Sequence, residues 1–327
     1  MIVYGEDVRD WGGCFDVTRG LGESLPYQKV FNAPISESAI VGSAVGYAMA
    51  GGKAIVEIMY QDFMACSGDE ILNQLAKWQA MSAGALKLPI VLRTVVGSKH
   101  GAQHTQDLSA FWAHIPGLKV VYPVTPRDAA GLLNRSLNGS DPVIFIESQI
   151  AYDQKEIFGD LESIDQMEID LGQPIIRRSG KDLTILTLGP ILFRAIKAAD
   201  ILSKEYGIEV EIIDMRGLVP FDYTLVKASV DKTRRILLAS DEVTRGSSLN
   251  DVAQKITQLC FNRLDVAPVV IGSKNWIAPA DEYDKYFFPQ VSTFLDVIHL
   301  QLIPLEGYST SGGDPLKDLI TESKKGL

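Results

Sequence analysis

The sequence predicts an α/β protein made of two parallel-sheet domains in tandem. Strand-like and helix-like segments alternate through both halves of the chain, the pattern of parallel sheets covered by helices. Between them, residues 151–173 are acidic, interrupted by Gly159 and Gly172, and lack a long period of either kind. The 327 residues, 46% of them hydrophobic, suffice for two cores. The expected division is a first domain at 1–150, a linker at 151–173 and a second domain at 174–327.

Ile2-Val3-Tyr4 opens the first domain as a strand, and Lys29-Val30-Phe31 reads as a second. Pro34 breaks that strand, and Ser36 is placed to cap a helix running to about Gly51, with a small-residue packing face through Gly42, Gly46 and Ala50. A strand over Ala54–Met59 precedes a helix from about Asp69 to Ala83. Leu88–Arg93 reads as strand, followed by a glycine- and histidine-bearing loop through residue 107 and a helical stretch to about His114. Lys119–Tyr122 is a strand, Thr125-Pro126 marks the start of a helix to Leu137, and Pro142–Glu147 closes the domain.

The second half restarts with strand Leu183–Leu188, helix Pro190–Tyr206, strand Ile208–Ile213 and helix Tyr223–Val230. Strand Arg235–Ala239, helix Leu249–Phe261 and strand Val269–Ile271 follow, which imply right-handed crossovers in a smaller sheet. The last dozen or so residues, rich in Gly, Ser, Asp and Lys, read as a loosely held tail.

A net charge of −10 argues against a general nucleic-acid surface, since phosphate binding needs clustered Lys and Arg. No apolar run approaches the roughly 18 to 20 residues that span a bilayer, and no export signal opens the chain. Cys14, Cys66 and Cys260 are odd in number and widely spaced, so neither a disulfide framework nor a zinc site is expected. A reducing cytoplasm or an organelle matrix, mitochondrial in a eukaryote, is the expected compartment.

Ligands of open α/β sheets gather beyond the carboxyl ends of the strands. Three features fall there: Glu37 after one strand, Met59 with Phe63 after the next, and the loop holding His100 and His104 after a third. Each also has a plainer reading. A first-turn glutamate suits the helix dipole, Met59 and Phe63 suit a core, and loops hold histidines for many reasons. The i, i+4 spacing of the two histidines also fits zinc, but Gly101 opposes a helix there and no third ligand follows at motif spacing. No metal ligands are expected in this chain. His114 at a helix end and His299 in an apolar stretch read as structural.

Several segments together carry a resemblance. They are Gly5-Glu6-Asp7-Val8, Pro34-Ile35-Ser36-Glu37 through Gly52, Glu57-Ile58-Met59-Tyr60-Gln61-Asp62-Phe63, Gly101-Ala102-Gln103-His104-Thr105-Gln106, and His114 through Pro123. With Asp214–Asp222 further on, they resemble the transketolase-like β subunits of thiamine-diphosphate-dependent 2-oxo acid dehydrogenases. The resemblance implies a pyrimidine-binding domain followed by a transketolase C-terminal-like domain. It implies that Glu37 bonds the cofactor's aminopyrimidine ring, that Met59 and Phe63 pack around that ring, and that His104 faces the reactive end. The implied activity is oxidative decarboxylation of a pyruvate-type or branched-chain 2-oxo acid, with acyl transfer to a lipoyl group on a separate acyltransferase.

Family α subunits hold the diphosphate through Mg²⁺ with a Gly-Asp-Gly motif, which this sequence lacks. The resemblance therefore implies a site shared with an α subunit, self-association through the second domain, and in many members a monovalent cation held by backbone carbonyls. The start at Ile2 is shorter than in family β subunits, and Asp10–Phe15 and Leu75–Gly84 are similar to β halves of fused α/β chains. Cys66 stands where several relatives carry a polar amide. Two alternatives stay open: a non-catalytic structural partner, or a self-contained transketolase-like enzyme.

Overall fold

The computed structural model describes residues 1–159, 167–312, 316–317 and 320–321. Part of the expected linker, 160–166, and most of the expected tail lie outside the described residues. Twelve strands are described. In the first half they are β1 (Ile2–Gly5), β2 (Val30–Asn32), β3 (Ala54–Tyr60), β4 (Ile90–Val96), β5 (Lys119–Val121) and β6 (Val143–Ser148). Then come β7 (Ile175–Arg178), β8 (Leu183–Leu188), β9 (Val210–Asp214), β10 (Gly217–Val219), β11 (Ile236–Val243) and β12 (Val269–Ser273).

The chain divides into two compact units. One comprises Met1–Ser98, Gln103–Gly172 and Gly217–Pro220; the other comprises Lys99–Ala102, Gln173–Arg216 and Phe221–Leu327. The first unit's sheet runs β10-β5-β6-β4-β3-β1-β2 and the second's β12-β11-β8-β9-β7. Pairing is parallel except at two edges, where β10 lies antiparallel to β5 and β7 antiparallel to β9. Both are short, so neither carries a periodic signal, and β10 comes from the second half of the sequence yet completes the first unit's sheet.

β4 and β6 are buried along their whole lengths, as central strands covered on both faces must be, which explains their near-continuous apolar runs. Around them, Val3, Ile55, Val91, Leu132, Val143 and Phe145 form one cluster, each large side chain contributing about 1.5–3 kcal/mol on burial. In the second unit Leu186, Ile213 and Leu238 are fully buried, as is Ile191 at the head of the helix Ile191–Tyr206.

The helix after β2 spans Glu37–Met49, close to expectation, but its packing face differs. Ile40, Val41, Ala44, Val45 and Ala48 are buried, whereas Gly46 and Ala50 are exposed. Only Gly42 of the expected small-residue face is in close packing, since a Cβ there would come 3.3 Å from the Glu70 side chain. The helix expected over 69–83 divides into a π-helical segment, Glu70–Leu75, and a short helix, Trp78–Met81. Ala76 N–H donates to Ile71 O, five residues back, which marks the change of winding. Thr125 caps the helix Pro126–Asn138 as expected, accepting from Asp128 N–H at 3.1 Å. Among the described residues no helix is long and apolar enough to cross a membrane.

Candidate functional site

Glu37 occupies the first turn of its helix, beyond the carboxyl end of β2. Ser36 takes the extended cap conformation, φ −162°, without a side-chain cap bond. The helix dipole favours a carboxylate at this position. Glu37 is half-buried, and of the apolar company expected for it Ile40 and Val41 are buried while Ile35 is 82% exposed. Ser38, beside it, donates to the Cys66 carbonyl at 2.7 Å. That bond ties the helix start to the segment that follows Phe63.

β3 ends in Met59 and Tyr60, and the chain turns at once into the short helix Gln61–Met64, which carries Phe63. This turn sets three rings against one another. The Tyr60 ring lies 4.7 Å from the His104 imidazole, and Phe63 meets that imidazole edge-on at 5.4 Å. Tyr60 and Phe63 are themselves 6.0 Å apart. Phe63 and His104, separated by a long stretch of sequence, thus share one half-buried wall, with Met59 partly buried beside it.

The His104 loop is held from the same short helix. Leu108 N–H donates to Gln61 Oε1 at 2.6 Å, and Gln106 Nε2 donates to Asp62 Oδ1 at 2.9 Å. Burial pushes the Asp62 carboxyl above its ordinary value, and the Gln106 bond partly opposes this. His100 is exposed, whereas His104 is half-buried. His114 is exposed at the end of the helix Ser109–Ala113. His299 Nδ1 accepts from Leu305 N–H at 2.9 Å and packs on Tyr308, a structural arrangement.

Sequence reasoning missed two features. The first is Glu6, partly buried, whose carboxyl is raised by burial and then by the charges of Glu37, Asp7 and Glu57. The second is a buried charge cluster in the middle of the sheet. Arg93 Nη1 donates to Glu57 Oε2 at 2.6 Å, and its Nε and Nη2 donate to the two Glu147 oxygens at 2.7 and 2.8 Å. Tyr152 donates to Glu147 Oε2 at 2.6 Å. Burial pulls the guanidinium's pKa down, but the two carboxylates more than offset this and hold it charged. The available signal was a charged residue inside each of three otherwise apolar strands.

Residues 1–155 match the family model "Transketolase, pyrimidine binding domain", and residues 172–293 match "Transketolase, C-terminal domain". The β subunit of the pyruvate dehydrogenase E1 component from Rhizobium meliloti is 36% identical, over 91% of this chain and 65% of that protein. The β subunit of acetoin:2,6-dichlorophenolindophenol oxidoreductase from Cupriavidus necator is 38% identical, over 81% of this chain and 80% of its own length. The chain belongs to the β-subunit family of the 2-oxo acid dehydrogenases. This transketolase-like, thiamine-dependent family also includes the 2-oxoisovalerate dehydrogenase β subunit of Bacillus subtilis, 36% identical over 82% of this chain and 81% of that one. A solved "Split gene transketolase, inactive beta4 tetramer" has the same fold, with a TM-score of 0.65 at 20% identity over 84% of this chain and 82% of that one.

The residues of this β-subunit site fit one half of thiamine diphosphate. Tyr60, Phe63 and His104 offer an aromatic wall to a flat heterocycle, and Glu37 offers a half-buried carboxylate to a ring nitrogen. Among the described residues no group of three or more His, Cys, Asp or Glu side chains could hold a metal ion. Asp69, in the nearest text to a Gly-Asp-Gly motif, is exposed and already accepts from Asn73 and Gln74.

Proposed function

We propose that the chain is the β component of a 2-oxo acid dehydrogenase complex, active only with an α subunit. Together they would decarboxylate a pyruvate-type or branched-chain 2-oxo acid and pass the acyl group to the disulfide of a lipoyl-bearing acyltransferase. The observation that carries this reading is the convergence of Phe63 and His104 on one wall in a chain of this family. Residues 1–150 are the pyrimidine-binding domain, 151–173 the connection, and 174–327 the C-terminal domain through which β chains associate. The compartment is the cytoplasm, or the mitochondrial matrix in a eukaryote.

When bound, thiamine diphosphate supplies the carbon nucleophile and the electron sink for decarboxylation. Glu37 holds a proton shared with a ring nitrogen of the aminopyrimidine, a role helped by its partial withdrawal from water. Met59 and Phe63 exclude water and fix the ring's orientation. His104 holds a proton at the substrate side as a general acid. The α subunit would hold Mg²⁺ and the diphosphate, and a monovalent cation would sit in the first domain on backbone carbonyls.

Glu37→Gln tests the assignment. In the assembled complex it should fold normally and lose activity by about 100-fold or more, the scale of acid–base contributions. Normal turnover would remove Glu37 from the site.

A further inference from the structure

A cavity of about 310 Å³ in the first unit shares one wall, Tyr152, with the aromatic row that leads to His104. The helix Pro126–Asn138 supplies Ala129, Ala130 and Leu133 to its lining, and β6 supplies Phe145 and Glu147. It is of the size and mostly apolar character of small-molecule sites. Its charged groups are Arg93 and Glu147, both buried; Glu147 accepts from Arg93 and from Tyr152.

The chemistry of this lining selects the ligand. Two carboxyls, Glu57 and Glu147, flank the single guanidinium, so an incoming anion finds no spare positive charge. The neighbouring helix start offers none either, because Arg127 N–H donates to Glu156 and Asp128 N–H to Thr125. A cation would lose its hydration to an apolar lining. Tyr152 gives its proton to Glu147 and keeps lone pairs on Oη for a donor. We propose that this cavity is a second ligand site, for a compact, uncharged, largely apolar molecule carrying one hydroxyl or amide donor. The charge argument separates such a ligand from the 2-oxo acid substrates, which are anions.

Occupancy has a short path to the candidate active site. Tyr152 lies 5.6 Å from Phe15, Phe15 lies 5.3 Å from Tyr60, and Tyr60 lies 4.7 Å from His104. A ligand that shifts the Tyr152 ring therefore perturbs His104 through two intervening rings. Only the functional meaning of that perturbation rests on the proposed activity; binding itself needs no cofactor.

The test uses the full chain labelled at histidine Cε1, whose four histidines give a countable NMR spectrum. Isovaleramide is the probe, and isovalerate is its charged isostere. Expected are saturable binding of the amide, at least about tenfold weaker binding of the carboxylate, and movement of the His104 resonance with His114 and His299 unmoved. Ala129→Phe and, separately, Leu133→Phe fill the cavity and should each abolish the effect. Absence of saturable binding, equal affinity for the carboxylate, or binding that survives in both filled variants would overturn the proposal.

Discussion

Arg93 is hydrogen-bonded to carboxylates 36 positions before it and 54 positions after it in the sequence. Periodicity reads neighbours along one element and cannot supply such a contact, so Glu57, Arg93 and Glu147 were visible as letters but not as a cluster. Glu37, Met59 and Phe63 stood out as candidates because they fall at or just past strand ends, which are local features. Burial, against the pull of Arg93, raises the Glu57 carboxyl above its ordinary value of 4.5. A carboxyl raised in the folded state binds its proton more tightly there than in the unfolded chain. Its contribution to stability is therefore full below 4.5 and is lost as pH rises through the raised value. Glu57→Gln cannot ionise and escapes that loss, so its melting temperature should gain on wild type as pH rises above 4.5. A constant or shrinking difference would contradict the burial argument. At His104 the expectation is kinetic: His104→Ala should slow acyl transfer to lipoyl more than decarboxylation, measured by single-turnover assays of each step, and an unchanged transfer rate counts against its role.

The same helix that presents Phe63 also anchors the His104 loop through Gln61 and Asp62, so the geometry of the wall belongs to one short element. Sequence periodicity located β3 and β4 but gave no hint of this anchoring, because a four-residue helix carries no period. Nor did it find β7 and β10, which are short edge strands. The change of winding at Glu70–Leu75 was equally hidden, since its apolar residues also satisfy an α-helical stripe. Gly97, just past β4, is the element's tightest constraint. A Cβ there would lie 1.9 Å from His104 O and 2.7 Å from the Tyr60 ring. Gly97→Ala must therefore displace His104. The His104 resonance should move and activity of the assembled complex should fall, while the resonance of His299 stays in place; an unchanged His104 resonance would show that the loop adapts without cost.

For the whole molecule, the alternation of strands and helices was enough to indicate two parallel-sheet units, and each unit has its own sheet and core. The segment Gly217–Pro220 was not legible as part of the first unit, because chain order places it well inside the second half. The proposed division of the cofactor site rests on a carboxylate and an aromatic wall suited to a heterocycle, and on there being no His/Cys/Asp/Glu cluster able to hold a metal ion among the described residues. Calorimetric titration of thiamine diphosphate with Mg²⁺, into this chain alone and into its mixture with a cognate α subunit, tests that division directly. Binding confined to the mixture is the predicted result; tight binding to the isolated chain would contradict it.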